Sequence, residues 1–569
     1  MEDREDLKSI LPYLPLVLRS PSLFWPSQVV ESLKALSEGP QHSRIDSGEV
    51  LFLAISDLRQ SLSLNFSTER LASSAADGYA LFFDDLMSRS ESAKWFGEVI
   101  PSMANLLLRF PLLLETHYKN ADVINGENDR IKTGLRILES QQPGIVLLSQ
   151  ELIGALLACS FFCLFPITDR VAKHLPTINF DHLFASLHND YSEKQENKIK
   201  CIIHYFERIC SFMPMGVLSF ERKVLPLEYS SFFVTYPKDD FWSKSIASLC
   251  RLEVCGSGLI EDQPSEALEV DFANKYLGGG ALHRGCVQEE IRFMINPELI
   301  AGMLFIPSMA DNEAVEIVGT ERFSNYTGYA SSFRFVGDYV DKRDFDHMGR
   351  RKTRITAIDA LCNPGKRQYG LKCLLREINK AFCGFFDPCK YQHYHRLLQD
   401  DGFCGAQVDQ DVKDPSGMSD NQLLFQEISS ISCEAKEGIL GDHLMRNLEK
   451  KGSQCLDHQK EIGIVTGNWG CGAFGGDPEL KATIQWLAAS QALRPFITYY
   501  TFGLEALQTV DQVSRWILSH KWTVGDLWNM LVEYSSQRLT GETNLGFFNW
   551  LLPSPPTFDA MILDTPLTP

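Results

Sequence analysis

The spacing of hydrophobic residues changes near Gly216, and this change restricts the folds open to the chain. Before it, apolar residues recur every three or four positions between Pro and Gly stops, which predicts helices. After it, short β-branched runs alternate with helical segments, which predicts a sheet flanked by helices. The runs expected to form strands are Val217–Phe220, Ala314–Val318, Ile355–Ile358, Ile462–Thr466 and Phe496–Thr501. The pattern therefore predicts an α/β domain preceded by an all-helical domain.

The same pattern predicts the domain boundaries. Residues 1–212 are expected to form the helical domain, with Gly144–Phe165 inside a helical bundle. Within it, the apolar run Leu152–Phe165 is too short to cross about 30 Å of hydrocarbon, so we expect a buried core helix. The expected α/β domain comprises residues 213–386 and 460–540, with an acidic, polar, partly disordered insertion at 387–459 and a C-terminal tail at 541–569.

Charge and cysteine usage exclude several classes of protein. The chain has 54 Lys and Arg against 73 Asp and Glu, and this net charge of −19 disfavours general binding to nucleic acid or membrane surfaces. Its 15 Cys are scattered without a C-x-x-C pair, which favours reduced thiols in the cytosol or nucleus. The acidic segment Met1–Leu7 does not have the basic character of a signal or transit peptide, so neither secretion nor organelle import is expected.

Two glycine-rich segments are candidates for a binding site. Gly470–Gly475 fits G-x-G-x-x-G, but the next strand does not end in the acidic residue that a dinucleotide-binding fold requires. We therefore expect Thr466–Asp477 to be a loop at a helix N-terminus, suited to hold a diphosphate through backbone N–H groups. The other segment is Gly278–Gly280, whose three glycines let a backbone approach a ligand closely.

Gln288–Glu290 follows Gly278–Gly280 after seven residues and is expected to begin a helix. Neighbouring helical residues point about 100° apart, so Glu289 and Glu290 cannot share one task. One carboxylate could face a scissile bond while the other binds a hydroxyl. The alternative is a first helical turn that is merely enriched in Glu, and spacing alone does not separate the two interpretations.

Together, Gly278–Gly280 and Gln288–Glu290 resemble the signature of poly(ADP-ribose) glycohydrolases. The resemblance extends, in the family order, over Val270–Asn274, Tyr326–Ala330, Thr466–Asp477 and Tyr500–Gly503. The helical part resembles the accessory domain of the full-length eukaryotic type. The resemblance implies a macrodomain-like α/β catalytic domain that hydrolyses ribose–ribose O-glycosidic bonds in poly(ADP-ribose) and releases ADP-ribose. It implies no metal and no organic cofactor.

The resemblance also implies a role for each candidate residue. Glu290 would protonate the departing ribose oxygen and then activate water, while Glu289 would bind ribose hydroxyls. Asp271 and Asn274 would position the catalytic loop or the sugar, although such side chains often only hydrogen-bond to nearby backbone. The implied substrate-binding residues are Gly278, Gly279, Gly280, Gly470, Gly472, Ala473, Phe474 and Gly475 at the diphosphate, Asn468 near ribose or phosphate, Tyr329 and Phe502 at the adenine, Glu261 at its amino group, and Gln288 within the signature.

The implied partners are poly(ADP-ribose) and poly-ADP-ribosylated proteins, with no sequence-specific nucleic acid and no membrane, for a protein acting as a monomer. This substrate implies the nucleus and cytoplasm as locations and the DNA damage response as the process. The basic cluster Gly349–Arg354 is expected to be a solvated lead-in to a strand rather than a nuclear signal. The alternative function is a non-catalytic ADP-ribose-binding macrodomain protein, which would not need the proton donor in Gln288–Glu290.

Overall fold

The computed structural model describes residues 2–64, 67–125, 132–189, 191–227, 235–263, 266–387 and 462–552. Its helices are α1 Glu5–Ile10, α2 Ser27–Ser37, α3 Pro40–Ser43, α4 Gly48–Ser61, α5 Ala75–Ala80, α6 Arg89–Lys94, α7 Ile100–Asn125, α8 Gln150–Phe161, α9 Thr168–Ala172, α10 Asp181–Asn189, α11 Glu193–Ser211, α12 Asp239–Ser243, α13 Gln288–Ile295, α14 Leu371–Phe385, α15 Pro478–Gln491, α16 Val510–Ser519, α17 Val524–Thr540 and α18 Phe547–Leu551.

The strands are β1 Val17–Arg19, β2 Ser22–Phe24, β3 Gly144–Ser149, β4 Val217–Val224, β5 Arg251–Cys255, β6 Leu268–Asp271, β7 Glu313–Gly319, β8 Ser324–Thr327, β9 Arg334–Asp338, β10 Arg351–Ala357, β11 Ile464–Thr466 and β12 Phe496–Tyr500. The five predicted strands are confirmed as β4, β7, β10, β11 and β12. The predicted insertion, apart from residue 387, and residues 553–569 of the predicted tail lie outside the described residues.

The helical part is built around α7 and α8. The predicted core helix is confirmed, because α8 is buried along its length and packs against α7. The continuous helical run Arg89–Asp122, which contains α6 and most of α7, is long and apolar enough to cross a membrane. The core helix of a folded domain passes the same test, and α7 packs against α2 as well as α8.

One expectation for this part is wrong. Gly144–Ser149 does not lie in a helix but forms β3, which pairs antiparallel with β4. A short apolar run with β-branched residues suits a buried strand as well as a buried helix. The helix begins only after Ser149, whose hydroxyl accepts a hydrogen bond from the Leu152 N–H at 3.2 Å and so caps α8.

The chain divides into two units, of which the first comprises Met1–Tyr236, Gln263–Ala360 and Cys383–Ile462. Its main sheet has the strand order β3, β4, β7, β10, β6. Strands β10 and β6 are parallel, and the other neighbouring pairs are antiparallel. Because β6 ends at Asp271, this residue lies where the chain leaves the sheet for the Gly278–Gly280 loop.

The second unit comprises Pro237–Asp262, Leu361–Phe382 and Gly463–Pro569. Its strands have the order β11, β12, β5 and are all parallel. Trp242 of α12 is fully buried and packs its ring against Trp528 of α17. Part of the predicted tail also belongs to this core, because Phe547 of α18 is buried against Tyr534 of α17.

The basic cluster Gly349–Arg354 is not the solvated lead-in that its composition predicts. Strand β10 begins inside the cluster, and its first residue, Arg351, is buried and pairs with Glu321 at 3.2 Å. Arg354 pairs with Glu266 at 2.7 Å. Acidic side chains from other elements therefore neutralise these charges within the fold.

Candidate active site

The first turn of α13 carries Glu289 and Glu290 and is fastened to β6 by the side chain of Gln288. The Gln288 Oε1 accepts a hydrogen bond from the Phe272 N–H at 2.8 Å, and its Nε2 donates to the Val270 oxygen at 3.1 Å. An amide side chain can bond both a backbone donor and a backbone acceptor, so Gln288 fixes the start of α13 beside the end of β6.

Glu289 holds the first half of the glycine-rich loop. Its Oε2 accepts a hydrogen bond from the Asn274 N–H at 2.9 Å, and its Oε1 accepts one from the Gly278 N–H at 2.7 Å. Burial raises the pKa of Glu289 well above its usual value, with the charges of Asp271 and Glu290 adding to the shift and the two N–H bonds opposing it. Glu289 thus supports the loop from inside the fold.

Glu290 holds the second half of the same loop. Its Oε1 accepts a hydrogen bond from the Gly280 N–H at 2.9 Å, and its Oε2 accepts one from the Val287 N–H at 2.8 Å. The second bond satisfies a free N–H at the helix start, so the alternative of an ordinary Glu-rich first turn describes part of its role. Glu290 is 7% exposed and Glu289 only 2%, which makes Glu290 the more accessible carboxyl.

The two carboxylates converge on Gly279, although neighbouring helical side chains leave the helix in different directions. A Cβ on Gly279 would lie 2.5 Å from Glu289 Oε2 and 2.8 Å from Glu290 Oε1. Its φ of +48° is also in the region that favours glycine. The expectation of separate tasks holds for the hydrogen bonds, because each carboxylate accepts from different N–H groups, but both act on one loop.

Asp271 is a buried acid at the end of β6. Burial raises the pKa of its carboxyl to about 8, with Arg292 opposing the shift and Glu290 adding to it. Its Oδ1 has no hydrogen-bond partner among the residues that the structure describes. Burial therefore favours the protonated form of Asp271.

Asn274 and Tyr329 complete the group in the first unit. Asn274 Oδ1 accepts a hydrogen bond from the Tyr276 N–H at 3.0 Å, which is the local loop bond common for this residue type. Tyr329 as a whole residue is 55% exposed, while its hydroxyl lies within hydrogen-bond reach of the Gln288 backbone. Burial raises the pKa of this hydroxyl, and the negative charge of Glu290 adds to the shift.

The candidate residues of the second unit form their own group. In this group, both the nitrogen and the oxygen of the Asn468 side-chain amide are hydrogen-bonded. Its Nδ2 donates to the Thr501 oxygen at 3.1 Å, and its Oδ1 accepts a hydrogen bond from the Tyr499 hydroxyl at 3.1 Å. Both partners lie at the end of β12. Asn468 therefore ties the start of the Gly470–Gly475 loop to that strand.

The Gly470–Gly475 loop closes on itself. The Gly475 N–H donates to the Gly472 oxygen at 3.0 Å, and the Gly476 N–H donates to the Gly470 oxygen at 2.9 Å. A Cβ on Gly472 or Gly475 would meet no atom within 4 Å, and Ala473 between them is exposed. The Phe474 oxygen accepts a hydrogen bond from the Asn363 N–H at 2.9 Å. The loop thus presents an open backbone surface.

Phe502 and Glu261 also belong to the second unit. The Phe502 ring is 51% exposed and its φ is +53°, a conformation that is unfavourable for a bulky side chain and is often retained for function. Glu261 is buried in the turn Ile260–Asp262. The predicted contacts of both residues with adenine stay predictions.

Sequence reasoning missed Lys198, a residue of α11 that contacts the loop Gly278–Val287, which begins with the three glycines. Its ammonium donates to the backbone oxygens of His283 and Gly285 at 2.7 Å and 2.6 Å. The signal that could have found it is a lysine on the apolar face of α11, at helical spacing from Ile202 and Tyr205.

The chemistry open to the first group is proton transfer at a sugar. The three neighbouring carboxyls of Asp271, Glu289 and Glu290 differ in hydrogen bonding, and Glu290 is the most exposed of them, which suits acid–base catalysis of glycosidic bond cleavage. No group of three or more His, Cys, Asp or Glu within the described ranges is arranged to hold a metal ion.

Comparisons with known proteins identify the family of this chain. Residues 239–509 match the family described as poly(ADP-ribose) glycohydrolase, Macro domain fold, and residues 87–222 match the helical domain of the same family. These matches confirm the predicted fold class, a macrodomain-like α/β catalytic domain with an N-terminal helical domain.

Individual relatives of this chain carry the name of the same family. Poly(ADP-ribose) glycohydrolase 1 of Arabidopsis thaliana is 61% identical over 97% of this chain and 98% of its own length. The probable poly(ADP-ribose) glycohydrolase 2 of the same plant is 54% identical over 97% of this chain and 99% of its own length. Poly(ADP-ribose) glycohydrolase 1 of Caenorhabditis elegans is 30% identical over 54% of this chain and 31% of its own length.

Proposed function

Because this chain belongs to the poly(ADP-ribose) glycohydrolase family, it is a glycosidase that hydrolyses poly(ADP-ribose), and we propose that Glu290 carries the proton transfers. The same relationships do not support the alternative of a non-catalytic ADP-ribose-binding macrodomain protein. Cleavage at an anomeric carbon develops oxocarbenium character, and the departing ribose oxygen must receive a proton.

In the proposed mechanism, the Glu290 carboxyl gives its proton to the ribose oxygen as the glycosidic bond breaks. The carboxylate then takes a proton from water while the water oxygen bonds to the anomeric carbon. The sum is addition of one water across the bond, with Glu290 protonated again. The observation that carries this proposal is the anchoring of Glu290 by the Gly280 and Val287 N–H groups beside the buried acid Asp271.

The other residues of the first unit have supporting roles in this proposal. A protonated Asp271 lowers the negative charge around Glu290, which reduces repulsion of an anionic substrate. Glu289 holds the loop through the Asn274 and Gly278 N–H groups, and its binding of ribose hydroxyls stays a prediction. The exposed ring of Tyr329 supports its assignment to the adenine.

For the second unit, we assign Asn468, the Gly470–Gly475 loop and Phe502 to binding of ADP-ribose. The open space at Gly472 and Gly475 supports a close approach of a diphosphate to the loop backbone. The half-exposed Phe502 ring supports stacking on a base.

The experiment that tests the activity is product analysis. Purified protein incubated with poly(ADP-ribose) should release free ADP-ribose, which chromatography separates from the polymer. Polymer binding without release would contradict the function. A mono-ADP-ribosylated protein offered in parallel tests the substrate class, because release from this protein alone would make side-chain ADP-ribose the substrate instead.

We further propose that the protein acts as a monomer on poly-ADP-ribosylated proteins in the nucleus and cytoplasm, as part of the DNA damage response. The support is the substrate class of the family. A fluorescently tagged full-length chain should be seen in both compartments, and confinement to another organelle would contradict the location.

A further inference from the structure

Lys198 is a fully buried cation in the helical part of the first unit. Its ammonium donates to the His283 oxygen at 2.7 Å and the Gly285 oxygen at 2.6 Å, and the Gly280 oxygen lies at 3.5 Å. A buried charge is unfavourable unless it is paired or well hydrogen-bonded. Here the acceptors are backbone carbonyls of one loop, so the charge of Lys198 is used to hold that loop.

The loop that Lys198 holds also orients Glu290. The Gly280 N–H donates to Glu290 Oε1 at 2.9 Å, so the Gly280 peptide is in contact with the carboxyl. A Cβ on Gly285 would lie 2.7 Å from the Glu290 carboxyl carbon, so the Gly285 backbone packs against the same group. A displacement of this loop would therefore be transmitted directly to the Glu290 carboxyl.

Gln195 provides a second anchor on the same face of α11. Its Nε2 donates to the His283 oxygen and to the Leu183 oxygen, each at 3.0 Å. Residues three positions apart on a helix are neighbours on one face, so Gln195 and Lys198 act on the loop from the same side. Helix α11 thus contacts the loop Gly278–Val287 through two polar side chains that are both buried.

We propose that Lys198 is a positioning residue for Glu290. Through Lys198, helix α11 of the helical part fixes the loop Gly278–Val287. This inference rests on the proposed role of Glu290. Being fully buried, Lys198 acts through the loop rather than by contact with substrate. Burial lowers the pKa of Lys198 to about 8, while the neighbouring Cys286 and Glu290 groups oppose the shift.

The test compares Lys198→Met, Lys198→Arg and the unmodified protein in poly(ADP-ribose) hydrolysis and in ADP-ribose binding. Methionine has a similar length but donates no hydrogen bond, so Lys198→Met should lower kcat roughly 10- to 100-fold, as misplaced catalytic groups do. The Kd for ADP-ribose should stay within about threefold. Lys198→Arg keeps the charge and the donors and should recover part of kcat.

Lys200→Met is the matched control, because Lys200 lies on the same helix, is 42% exposed and pairs with Glu196. It should keep the kcat of the unmodified protein. An unchanged kcat in Lys198→Met would overturn the proposal. A Kd weakened in proportion to kcat would also overturn it, since the loop would then act in binding.

Gln195→Leu keeps the proposal testable if Lys198→Met does not fold, as judged by circular dichroism. It removes one anchor and should lower kcat less than Lys198→Met, with Kd again unchanged. A folded Gln195→Leu with full kcat would then overturn the proposal. Failure of the unmodified protein to release ADP-ribose would instead contradict the proposed function.

Discussion

Both glycine-rich loops of this chain close turns within themselves, but they differ in what else holds them. Around Gly278–Gly280, backbone N–H groups donate to Glu289 and Glu290, and a Cβ on Gly279 would collide with both carboxylates. In Gly470–Gly475, N–H groups close turns within the loop itself, and a Cβ on Gly472 would meet open space. The first loop is therefore bound to acidic side chains, while the second leaves its surface for a ligand. From this difference we expect the first loop to serve the reaction and the second to serve binding.

Replacing one glycine in each loop tests this division most strongly. Gly279→Ala would push against both carboxylates and force an unfavourable φ, so kcat should fall about 100-fold. The measurement is the initial rate of ADP-ribose release across a range of polymer concentrations. A variant that folds and keeps its kcat would show that the first loop does not position the reacting carboxyl.

Gly472→Ala is the counterpart in the second loop. The added methyl group meets no protein atom within 4 Å, so the fold should be unaffected, but the methyl group would occupy space assigned to the ligand. We expect KM to rise about tenfold while kcat changes little, because only binding that is equal in ground and transition states is lost. A fall in kcat with unchanged KM would remove the proposed distinction between the loops.

Phe502→Ala sharpens the assignment of the second unit to binding. Stacking of a base on an aromatic ring is worth about 1–3 kcal/mol, so the Kd for ADP-ribose should weaken roughly 5- to 150-fold. Isothermal titration calorimetry with ADP-ribose measures this change directly. An unchanged Kd would mean that the half-exposed ring does not contact the ligand.

The smallest expected effect concerns the buried acid of the first unit. The pKa of Asp271 is raised from 3.8 to about 8, so between these values the folded protein holds a proton that the unfolded chain releases. The free energy of unfolding that Asp271 contributes therefore falls as pH rises through this window. Asp271→Asn is neutral at every pH and removes this dependence.

Thermal unfolding of Asp271→Asn and the unmodified protein measures this difference. As pH rises from about 5 to about 8, the Tm of Asp271→Asn should increase relative to that of the unmodified protein. The other buried acids are present in both proteins, and Glu289 is the one that the substitution also affects, because the charge of Asp271 raises its pKa. A Tm difference that does not change with pH would show that Asp271 is already ionised in the fold.

Much of the fold was predictable because buried β-branched runs and helical spacing are local properties of the sequence. Strand β3 was not, because its apolar run fits a helix or a strand equally well and its partner β4 lies far along the chain. Strands β5 and β6 are short and part of their length lies within polar segments, so periodicity did not identify them.

The residues of the candidate site also fall into those that a local motif predicts and those that only tertiary packing brings together. Glu289, Glu290 and their glycine-rich loop are close in sequence, so the spacing of the motif placed them together. Lys198 is 85 residues from His283 and 87 from Gly285, so its role depends on tertiary packing that no local pattern encodes. The pairing of Arg351 and Arg354 with distant carboxylates was hidden for the same reason.

The most direct test of the central claim is turnover and binding by Glu290→Gln, measured on one preparation against the unmodified protein. The amide keeps the shape of the side chain but cannot donate the acid proton, so ADP-ribose release should fall at least about 10²- to 10⁴-fold. The Kd for ADP-ribose should stay close to that of the unmodified protein. Release at the unmodified rate would contradict the assignment of Glu290 as the acid and base of the reaction.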